Sequence, residues 1–261
     1  MDWTTPDGSY FSLREVHEWT EDYSKQSFLY TSVSAYVQGS PYTARLPEHA
    51  DEIDEGDVLA ALSPVPSACI HPKFSDTVKV APKVNSAIHY LKAPSFQYDD
   101  CQPGETFVAD CVLNEVTVLE LLSKDPHPNI VSYLGCVEEA GRISHICLKR
   151  YDGNLPDYAA NGLSADQKKR VIHGVAAAIE HLYSLGLAHN DINPHNICID
   201  SNEEPILIDF DGCLPLGEKL MKGTASVIAI CRETGRQISH QQNDLDGLEE
   251  IRGFLRCVKE T

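Results

Sequence analysis

The chain has 261 residues, and its 39 acidic residues against 21 basic ones give a formal net charge of −18. A surface this acidic repels nucleic-acid phosphates and anionic lipid head groups, so neither nucleic acid nor a membrane is an expected partner. With 42% hydrophobic residues, the chain has enough apolar material for a folded core and suits one large domain or two small lobes.

The first part of the chain is unusually acidic. Residues 1–60 contain 12 acidic and 3 basic side chains, which is half of the net charge. We therefore treat residues 1–57 as a separate acidic segment, to which the mixed pattern of aromatic and polar residues assigns no element. The N-terminus lacks the basic and apolar parts of a signal peptide, and no apolar run could span a bilayer. The expected location is intracellular, in the cytoplasm.

Cysteine usage agrees with that location. The nine cysteines are an odd number and form no Cys-x-x-Cys pair, so they indicate neither a disulfide framework nor a zinc site. We expect most of them to be reduced core residues.

Short strands and one helix are predicted next along the chain. Runs of β-type residues broken by prolines, over 78–82 and 87–94, indicate a small antiparallel sheet. Apolar residues at helical spacing predict a helix over 112–124, which should end before Pro126. Two further strands are predicted over 130–134 and 143–148.

The clearest helix is predicted to begin at Ser164, which forms a capping box with Gln167, and to end at Gly186. Its apolar face should pack on the core and comprises Val171, Val175, Ala178, Ile179 and Leu182. Beyond it, β-type runs over 196–200 and 205–209 flank a turn and predict a hairpin. A last helix is predicted over 243–258.

Potential oxygen ligands surround this hairpin. Asp191 and Asn196 stand at the two ends of the loop before it, and Asp209 ends its second strand. The hairpin brings all three to one edge, and carboxylate and amide oxygens are ligands suited to Mg²⁺.

The loop sequence His-Asn-Asp-Ile-Asn-Pro-His-Asn (residues 189–196), followed by Ile-Asp-Phe-Asp (residues 208–211), resembles the protein kinase superfamily. The resemblance covers roughly residues 78–257. It implies an α+β, two-lobed fold. Residues 58–151 would form an N-lobe with a small antiparallel sheet and helix αC, and residues 152–261 a shortened, mainly helical C-lobe.

The resemblance also implies roles for the loop and hairpin residues. Asp191 would accept the proton of the attacking hydroxyl, while Asn196 and Asp209 would hold Mg²⁺ on the phosphates of ATP. His189 and Phe210 would be packing residues that position the loop and the metal-binding aspartate.

Further residues correspond to other parts of the family pattern. Lys92 resembles the lysine that contacts the phosphates, and Glu115 resembles its partner on helix αC, with Glu120 as the other candidate. Asp244 resembles the aspartate that anchors the catalytic loop. Residues 147–151 fall where the hinge that binds adenine is expected, with Cys147 and Lys149 as its candidate binding residues.

The chain departs from the typical family pattern in several places. It has no glycine between Gly56 and Gly104, where a glycine-rich loop would cover the phosphates. Asn190 replaces an arginine, so activation by phosphorylation is not expected. Asn193 replaces a lysine that neutralises charge in the transition state. Asp211 replaces the glycine after phenylalanine. His195 is interpreted as a structural residue, with a loop contact as the alternative.

The last part of the chain departs as well. It lacks an Ala-Pro-Glu between Asp209 and Asp244, and the sequence ends about one helix later, which weakens the expectation of a peptide substrate. The motifs His-Asn-Asp (residues 189–191) and Ile-Asp-Phe-Asp (residues 208–211) are also similar to those of choline and aminoglycoside kinases. The nearest overall resemblance is to a group of fungal protein-kinase-like proteins.

Three functional hypotheses follow from these patterns. The first is an atypical phosphotransferase that uses ATP and Mg²⁺ and transfers the γ-phosphoryl group to a hydroxyl of a protein or a small molecule. The second is a pseudokinase or scaffold that binds a protein partner, and the third is a kinase fold used for another group transfer. The sequence leaves the phosphoryl acceptor and the oligomeric state open.

Overall fold

The computed structural model describes residues 1–19, 26–101, 104–220 and 238–261, with Trp19 described by its backbone alone. The chain forms two compact units. Unit 1 comprises Met1–Lys73 and Pro94–Val112, and unit 2 comprises Phe74–Ala93 and Leu113–Thr261. The division of the chain at residues 57 and 151 stays a prediction.

Unit 1 contains a five-stranded antiparallel sheet whose strands follow one another in chain order. The strands are β1 (Asp2–Thr4), β2 (Tyr10–Trp19), β3 (Gln26–Val37), β4 (Ser40–Leu46) and β5 (Ser63–Pro64). Phe11 pairs with Ala35 and Leu13 with Val33, and all four side chains are buried. No element was predicted here, because buried hydroxyl residues such as Ser32 interrupt the alternation of apolar and polar positions.

Part of the acidic run in unit 1 forms a helix start. Helix α1 (Glu55–Ala61) begins at Asp54, whose side chain accepts from the backbone N–H of Asp57 while the Asp57 side chain accepts from that of Asp54. Acidic side chains at this end are favoured by the helix dipole. The helix buries Val58, and a short helix α2 (Ser67–Ile70) follows.

Unit 2 contains the predicted small antiparallel sheet. Its strands are β6 (His89–Lys92), β7 (Tyr133–Glu139) and β8 (Arg142–Lys149), in the order β6-β8-β7. Helix α3 (Phe107–Leu122) begins five residues earlier than predicted and ends before Pro126 as expected. From Leu113 onward this helix belongs to unit 2.

Two strand predictions were wrong in extent. The strand predicted over 130–134 begins at Tyr133, and residues 78–82 form only an isolated parallel bridge between Val80 and Cys136. Gly135 permits this bridge, because a Cβ at that position would lie 2.6 Å from the carbonyl carbon of Val80. Backbone bonds from Ala81 to Cys136 (2.9 Å) and from Cys136 to Lys79 (2.7 Å) hold the two segments together.

The rest of unit 2 is mainly helical. Its elements are α4 (Leu155–Ala159), α5 (Ala165–Ser184), β9 (Leu187–Ala188), β10 (Ile197–Ile199), β11 (Pro205–Leu207), β12 (Leu214–Pro215) and α6 (Gln241–Cys257). The capping box of Ser164 and Gln167 is confirmed, and the whole predicted apolar face of α5 is buried. The predicted hairpin is also confirmed, with Ile197 paired to Leu207.

The α+β fold class predicted for the chain is therefore confirmed. Unit 2 contains the small antiparallel sheet, with α3 between β6 and β7 in the sequence, and the part of the chain after β8 is mainly helical. The stretch that lacks Ala-Pro-Glu lies partly outside the described residues. Every cysteine in the described ranges is free, and most are buried, as expected. No helix among the described residues combines the length and apolarity needed to cross a bilayer.

Candidate active site

The loop between β9 and β10 orients the carboxylate of Asp191. The side-chain nitrogen of Asn196 donates to its Oδ2 at 2.8 Å and to its backbone carbonyl at 2.9 Å. The side-chain nitrogen of Asn193 lies 3.2 Å from the other oxygen, Oδ1. Asn193 also accepts from the backbone N–H of His195, which fixes the short helical turn Pro194–Asn196. Two amides thus hold a buried carboxylate in one orientation.

Lys92, at the end of β6, is shared by two carboxylates. Its ammonium lies 2.7 and 2.8 Å from the two oxygens of Glu115 and 2.5 Å from Oδ1 of Asp209. Burial alone would lower the pKa of Lys92, but these two carboxylates outweigh it and raise that pKa above its ordinary value. Lys92 is therefore charged at neutral pH.

Glu115 is the partner that sequence reasoning left undecided against Glu120. It is only 3% exposed, and burial raises its pKa while the nearby Lys92 ammonium opposes that rise. Glu120 points elsewhere, since it accepts from the backbone N–H of Lys79 at 2.6 Å and from the hydroxyl of Tyr133 at 2.8 Å.

Asp209 has a left-handed backbone conformation, with φ at 63° and ψ at 75°. This conformation is uncommon for a residue other than glycine. The next residue, Phe210, is fully buried, and its backbone N–H donates to Glu115 at 3.3 Å. Its ring meets that of His189 edge to face at 4.9 Å.

His189 has a defined tautomer. Its Nδ1 accepts from the backbone N–H of Asp191 at 3.3 Å, so the proton lies on Nε2, which donates to the carbonyl of Ile208 at 3.0 Å. Burial lowers the pKa of His189 and keeps the ring neutral. The His189 ring therefore joins the loop between β9 and β10 to Ile208, at the end of the hairpin.

Asp244, in the first turn of α6, binds the backbone of the loop between β9 and β10. Its two oxygens accept from the backbone N–H groups of His189 (2.9 Å) and Asn190 (2.7 Å). Burial raises the pKa of Asp244 to about 7, although both hydrogen bonds lower it in part.

Asn190 is buried with φ at 64°, and its side chain forms a network. Its amide nitrogen lies 2.9 Å from the carbonyl of Ala188, 3.0 Å from that of Gly212 and 3.0 Å from the hydroxyl of Ser239. Its oxygen accepts from the amide of Asn243 at 2.9 Å. The residue that replaces arginine thus links positions on both sides of residues 213–238.

A cavity of about 350 Å³ opens beside these groups within unit 2. Its walls include Lys92 and Asp209, together with Tyr90, Val131, Leu148, Lys149, Arg150, Tyr151, Gly153, Asn154, Asp157, His195, Cys198 and Ile208. Its volume lies at the lower end of the range for small-molecule sites.

Of the two predicted hinge residues, Lys149 lines the cavity and Cys147 does not. Leu148 is paired directly with Tyr90, and both line the cavity. Alternation along β8 turns the neighbouring Cys147 to the opposite face, where it is fully buried. His195 is exposed and also lines the cavity, and its interpretation as a structural residue stays a prediction.

Sequence reasoning did not identify Tyr90 as a site residue, whereas Arg150 lies within the range 147–151 predicted to form the hinge. The signal for Tyr90 was available, because a residue two positions before Lys92 on a strand must lie on the same face as that lysine.

The cavity is lined by both cationic and acidic side chains. Three of its lining residues, Lys92, Lys149 and Arg150, are cations, whereas two, Asp157 and Asp209, are carboxylates. Asp157 also belongs to the capping box of α4. Glu115, which binds the Lys92 ammonium, makes the carboxylates equal in number to the cations, so an anionic ligand is favoured here together with a metal cation.

The oxygen donors at the cavity suit a cation that is held jointly with phosphate. Among the described residues, no group of three His, Cys, Asp or Glu side chains is arranged to hold a metal ion by itself. Asp209 supplies a carboxylate, and Asn196, whose nitrogen is turned toward Asp191, would present its oxygen. One carboxylate and one amide, completed by phosphate and water, fit Mg²⁺.

Comparisons with known proteins agree with this geometry. The family model described as "Protein kinase domain" matches residues 75–227. The chain is 33% identical over 104 residues to the probable serine/threonine-protein kinase mkcE of Dictyostelium discoideum, covering 38% of this chain and 14% of that protein. It is 35% identical over 125 residues to Protein STRUBBELIG-RECEPTOR FAMILY 2 of Arabidopsis thaliana, covering 43% and 17%.

A third relative is serine/threonine-protein kinase PSK1 of Saccharomyces cerevisiae, 28% identical over 166 residues. That match covers 53% of this chain and 12% of the yeast protein. The chain thus spans less than a fifth of the length of each of these three curated relatives.

Proposed function

Because the chain belongs to the protein kinase family, which the match over more than half of its residues shows, we propose that it is a phosphotransferase using ATP and Mg²⁺. It would transfer the γ-phosphoryl group to a hydroxyl acceptor, either a protein serine or threonine or a small molecule. The observation that carries this proposal is the placement of Lys92, Asp209 and the oriented Asp191 carboxylate within one unit.

In this proposal each residue contributes through position and charge. Lys92, held by Glu115, binds the phosphates near the α and β positions. Asp191 accepts the proton of the acceptor hydroxyl, and the amides of Asn193 and Asn196 keep its carboxylate aimed at that proton. Positioning of this kind supplies much of the rate of a phosphoryl transfer.

The metal would be held by Asn196 and Asp209. When bound, it neutralises charge on the phosphate oxygens. His189 and Phe210 keep Asp209 in its left-handed conformation, and Asp244 fixes the loop that carries Asp191. The lining cations Lys149 and Arg150 add favourable charge for an anionic nucleotide.

The test is phosphoryl transfer from γ-labelled ATP in the presence of Mg²⁺, with substitution of Asp191→Asn. Turnover should fall by roughly 10² to 10⁴-fold while nucleotide affinity stays nearly unchanged, as loss of a general base predicts. Asp166→Asn is the matched control, because this aspartate is exposed in the first turn of α5. The proposal is wrong if ATP with Mg²⁺ produces no thermal shift of the unaltered protein at millimolar concentration.

One observation favours the second hypothesis, a pseudokinase that binds a partner. Within unit 2 the sheet has three strands with β6 at its edge, and the chain has no glycine between Gly56 and Gly104 to form a phosphate-covering loop. Measurable turnover of ATP that is lost in Asp209→Ala would exclude this alternative. Mass spectrometry of the product would separate phosphorylation from the third hypothesis, since only phosphorylation adds a phosphoryl group.

A further inference from the structure

Residues 82–88 of unit 2, which lead into strand β6, form an exposed loop with a fixed shape. All seven residues are exposed. The backbone carbonyl of Asn85 accepts from the backbone N–H groups of Ile88 (3.1 Å) and His89 (2.8 Å), and its side-chain oxygen accepts from that of Ala87 at 3.1 Å. The backbone N–H of Asn85 in turn donates to Nδ1 of His89 at 3.1 Å. The loop is therefore ordered by its own hydrogen bonds rather than by burial.

This loop presents large apolar side chains to solvent. Val84 is 41% exposed and Ile88 is 56% exposed, and Tyr90, which follows on β6, is 47% exposed. Single exposed apolar side chains are ordinary, but a group of them on one short ordered segment is typical of an interaction surface.

The charge around the loop is opposite to that of the protein as a whole. Residues 77–98 contain three lysines and no acidic residue, in a chain of net charge −18. Arg150 adds another exposed cation, because its Nε donates to the carbonyl of His89 at 3.2 Å and its guanidinium lies 5.8 Å from the centroid of the Tyr90 ring. Apolar and cationic side chains together fit a partner that is both acidic and apolar. The residues that we call the loop surface are Lys83, Val84, Ile88, Tyr90 and Arg150.

A surface with the complementary chemistry is present in unit 1 of the same chain. Asp51 and Glu52 are exposed just before α1, and Glu55 is exposed in its first turn. Leu59 lies four residues after Glu55 on the same side of the helix and is 50% exposed. The residues that we call the acidic surface are Asp51, Glu52, Glu55 and Leu59.

We propose that the loop surface binds the acidic surface of a second copy of this chain, so that the protein self-associates. Both surfaces are exposed in the single chain, so each is available to another molecule. Repulsion between the net charges of two copies is screened beyond about 8 Å at physiological ionic strength, whereas opposite charges in a partly buried contact are screened much less. Tyrosine and arginine, as at Tyr90 and Arg150, are also enriched in protein interfaces. The inference goes beyond the proposed function and does not depend on phosphoryl transfer.

The test is sedimentation velocity of the full chain, from micromolar to submillimolar concentration at physiological salt. The unaltered protein should form dimers or larger oligomers as its concentration rises. Lys83→Glu, and separately Val84→Ser with Ile88→Ser, should each weaken association by roughly tenfold or more, because each removes part of the contact. Melting temperatures show whether each variant is folded.

Each kind of variant has a matched control on another element. Lys169→Glu, at an exposed position of α5, changes the net charge by the same amount as Lys83→Glu. Leu121→Ser, on α3, replaces a side chain that is 41% exposed, as Val84 is. Both controls should leave the association constant unchanged.

A mixing experiment shows whether the two surfaces meet each other. Asp51→Lys with Glu52→Lys reverses charge on the acidic surface, and this variant alone should associate as weakly as Lys83→Glu alone. The two variants mixed should associate again, because the introduced lysines of one copy then face the introduced glutamate of the other. Rescue of this kind requires direct contact between the two surfaces.

Several results would overturn the inference. One is a monomer at every concentration, and another is association that Lys83→Glu leaves unchanged. Absence of rescue in the mixture would also overturn it, because the loop surface would then bind something other than the acidic surface. A monomer that instead sediments with vesicles of phosphatidylserine and phosphatidylcholine, and loses this binding in Lys83→Glu, would assign the loop surface to anionic lipid.

Discussion

Lys92 donates to both carboxylate oxygens of Glu115, at 2.7 and 2.8 Å, although 23 residues separate the two along the chain. The end of β6 and one face of α3 must therefore be placed correctly before this pair can form. The pair is buried on the glutamate side and keeps the ammonium next to Asp209. Removal of one partner leaves the other charge poorly solvated.

The first prediction concerns Glu115→Gln, which removes the charge but keeps the shape. Lys92 would then be drawn toward Asp209 and away from the phosphates. We expect kcat/KM for ATP to fall by a factor of up to about 100, since a small misplacement of a positioning group can cost this much. Glu120→Gln is the control on the same helix, because its contacts are to Lys79 and Tyr133, and it should leave kcat/KM unchanged. Equal losses in both variants would contradict the assigned pairing.

The second prediction concerns Asn193, whose side chain donates to Asp191 and accepts from the backbone of His195. Asn193→Asp keeps the acceptor for His195 but replaces the donor with a like charge. We expect kcat to fall by about fivefold with little change in KM for ATP, since a lost hydrogen bond of this kind is worth about 1 kcal/mol. Steady-state kinetics measure both constants. A change confined to KM would show that Asn193 acts on the nucleotide instead.

What the sequence predicts well depends on interactions between near neighbours. The capping box at Ser164 joins residues three apart, and the hairpin after Asn196 is set by a four-residue turn. Such features follow from local chemistry alone. The motif residues Asp191 and Asp209 could be located for the same reason, because a short hairpin connects their positions.

Other features could not be predicted because they depend on distant segments. The sheet of unit 1 buries Ser32 and Thr31 together with apolar residues, which removes the alternation that identifies a strand. The choice between Glu115 and Glu120 requires the rotation of α3 against β6. The hydrogen bonds of the Asn190 side chain reach residues up to 53 positions away. The sequence showed that asparagine replaces an arginine here, but it could not show which residues the asparagine contacts.

The third prediction concerns Asn190→Ala. The variant removes a buried amide and leaves the carbonyl of Gly212 and the hydroxyl of Ser239 without it. It also places alanine at a φ of 64°. We expect the free energy of unfolding to fall by about 3 kcal/mol, of which about 1 kcal/mol is backbone strain.

Asn190→Gly is the matched variant, because it loses the same hydrogen bonds without the strain. It should be more stable than Asn190→Ala by about 1 kcal/mol. Urea denaturation of both variants measures the difference. If Asn190→Ala is as stable as the unaltered protein, the network does not hold these segments together.

The fourth prediction uses the pH dependence of stability. Asp244 has a pKa of about 7 in the folded protein, above its value in an unfolded chain, because burial disfavours its charged form. Between roughly pH 4 and 7 the folded state therefore holds a proton that the unfolded state has released. The contribution of Asp244 to stability is complete below this window and is lost as the pH rises through it.

Asp244→Asn removes this titration while keeping the size of the side chain. The stability of the unaltered protein minus that of the variant should fall as the pH rises from 4 to 7, by on the order of 4 kcal/mol. The loss of one hydrogen bond to His189 or Asn190 adds an offset that does not change with pH, and the titration of His189 cancels between the two proteins. Chemical denaturation at several pH values measures the difference. A difference that stays constant over this range would mean that Asp244 is ionised throughout, with its charge stabilised by the two backbone N–H groups.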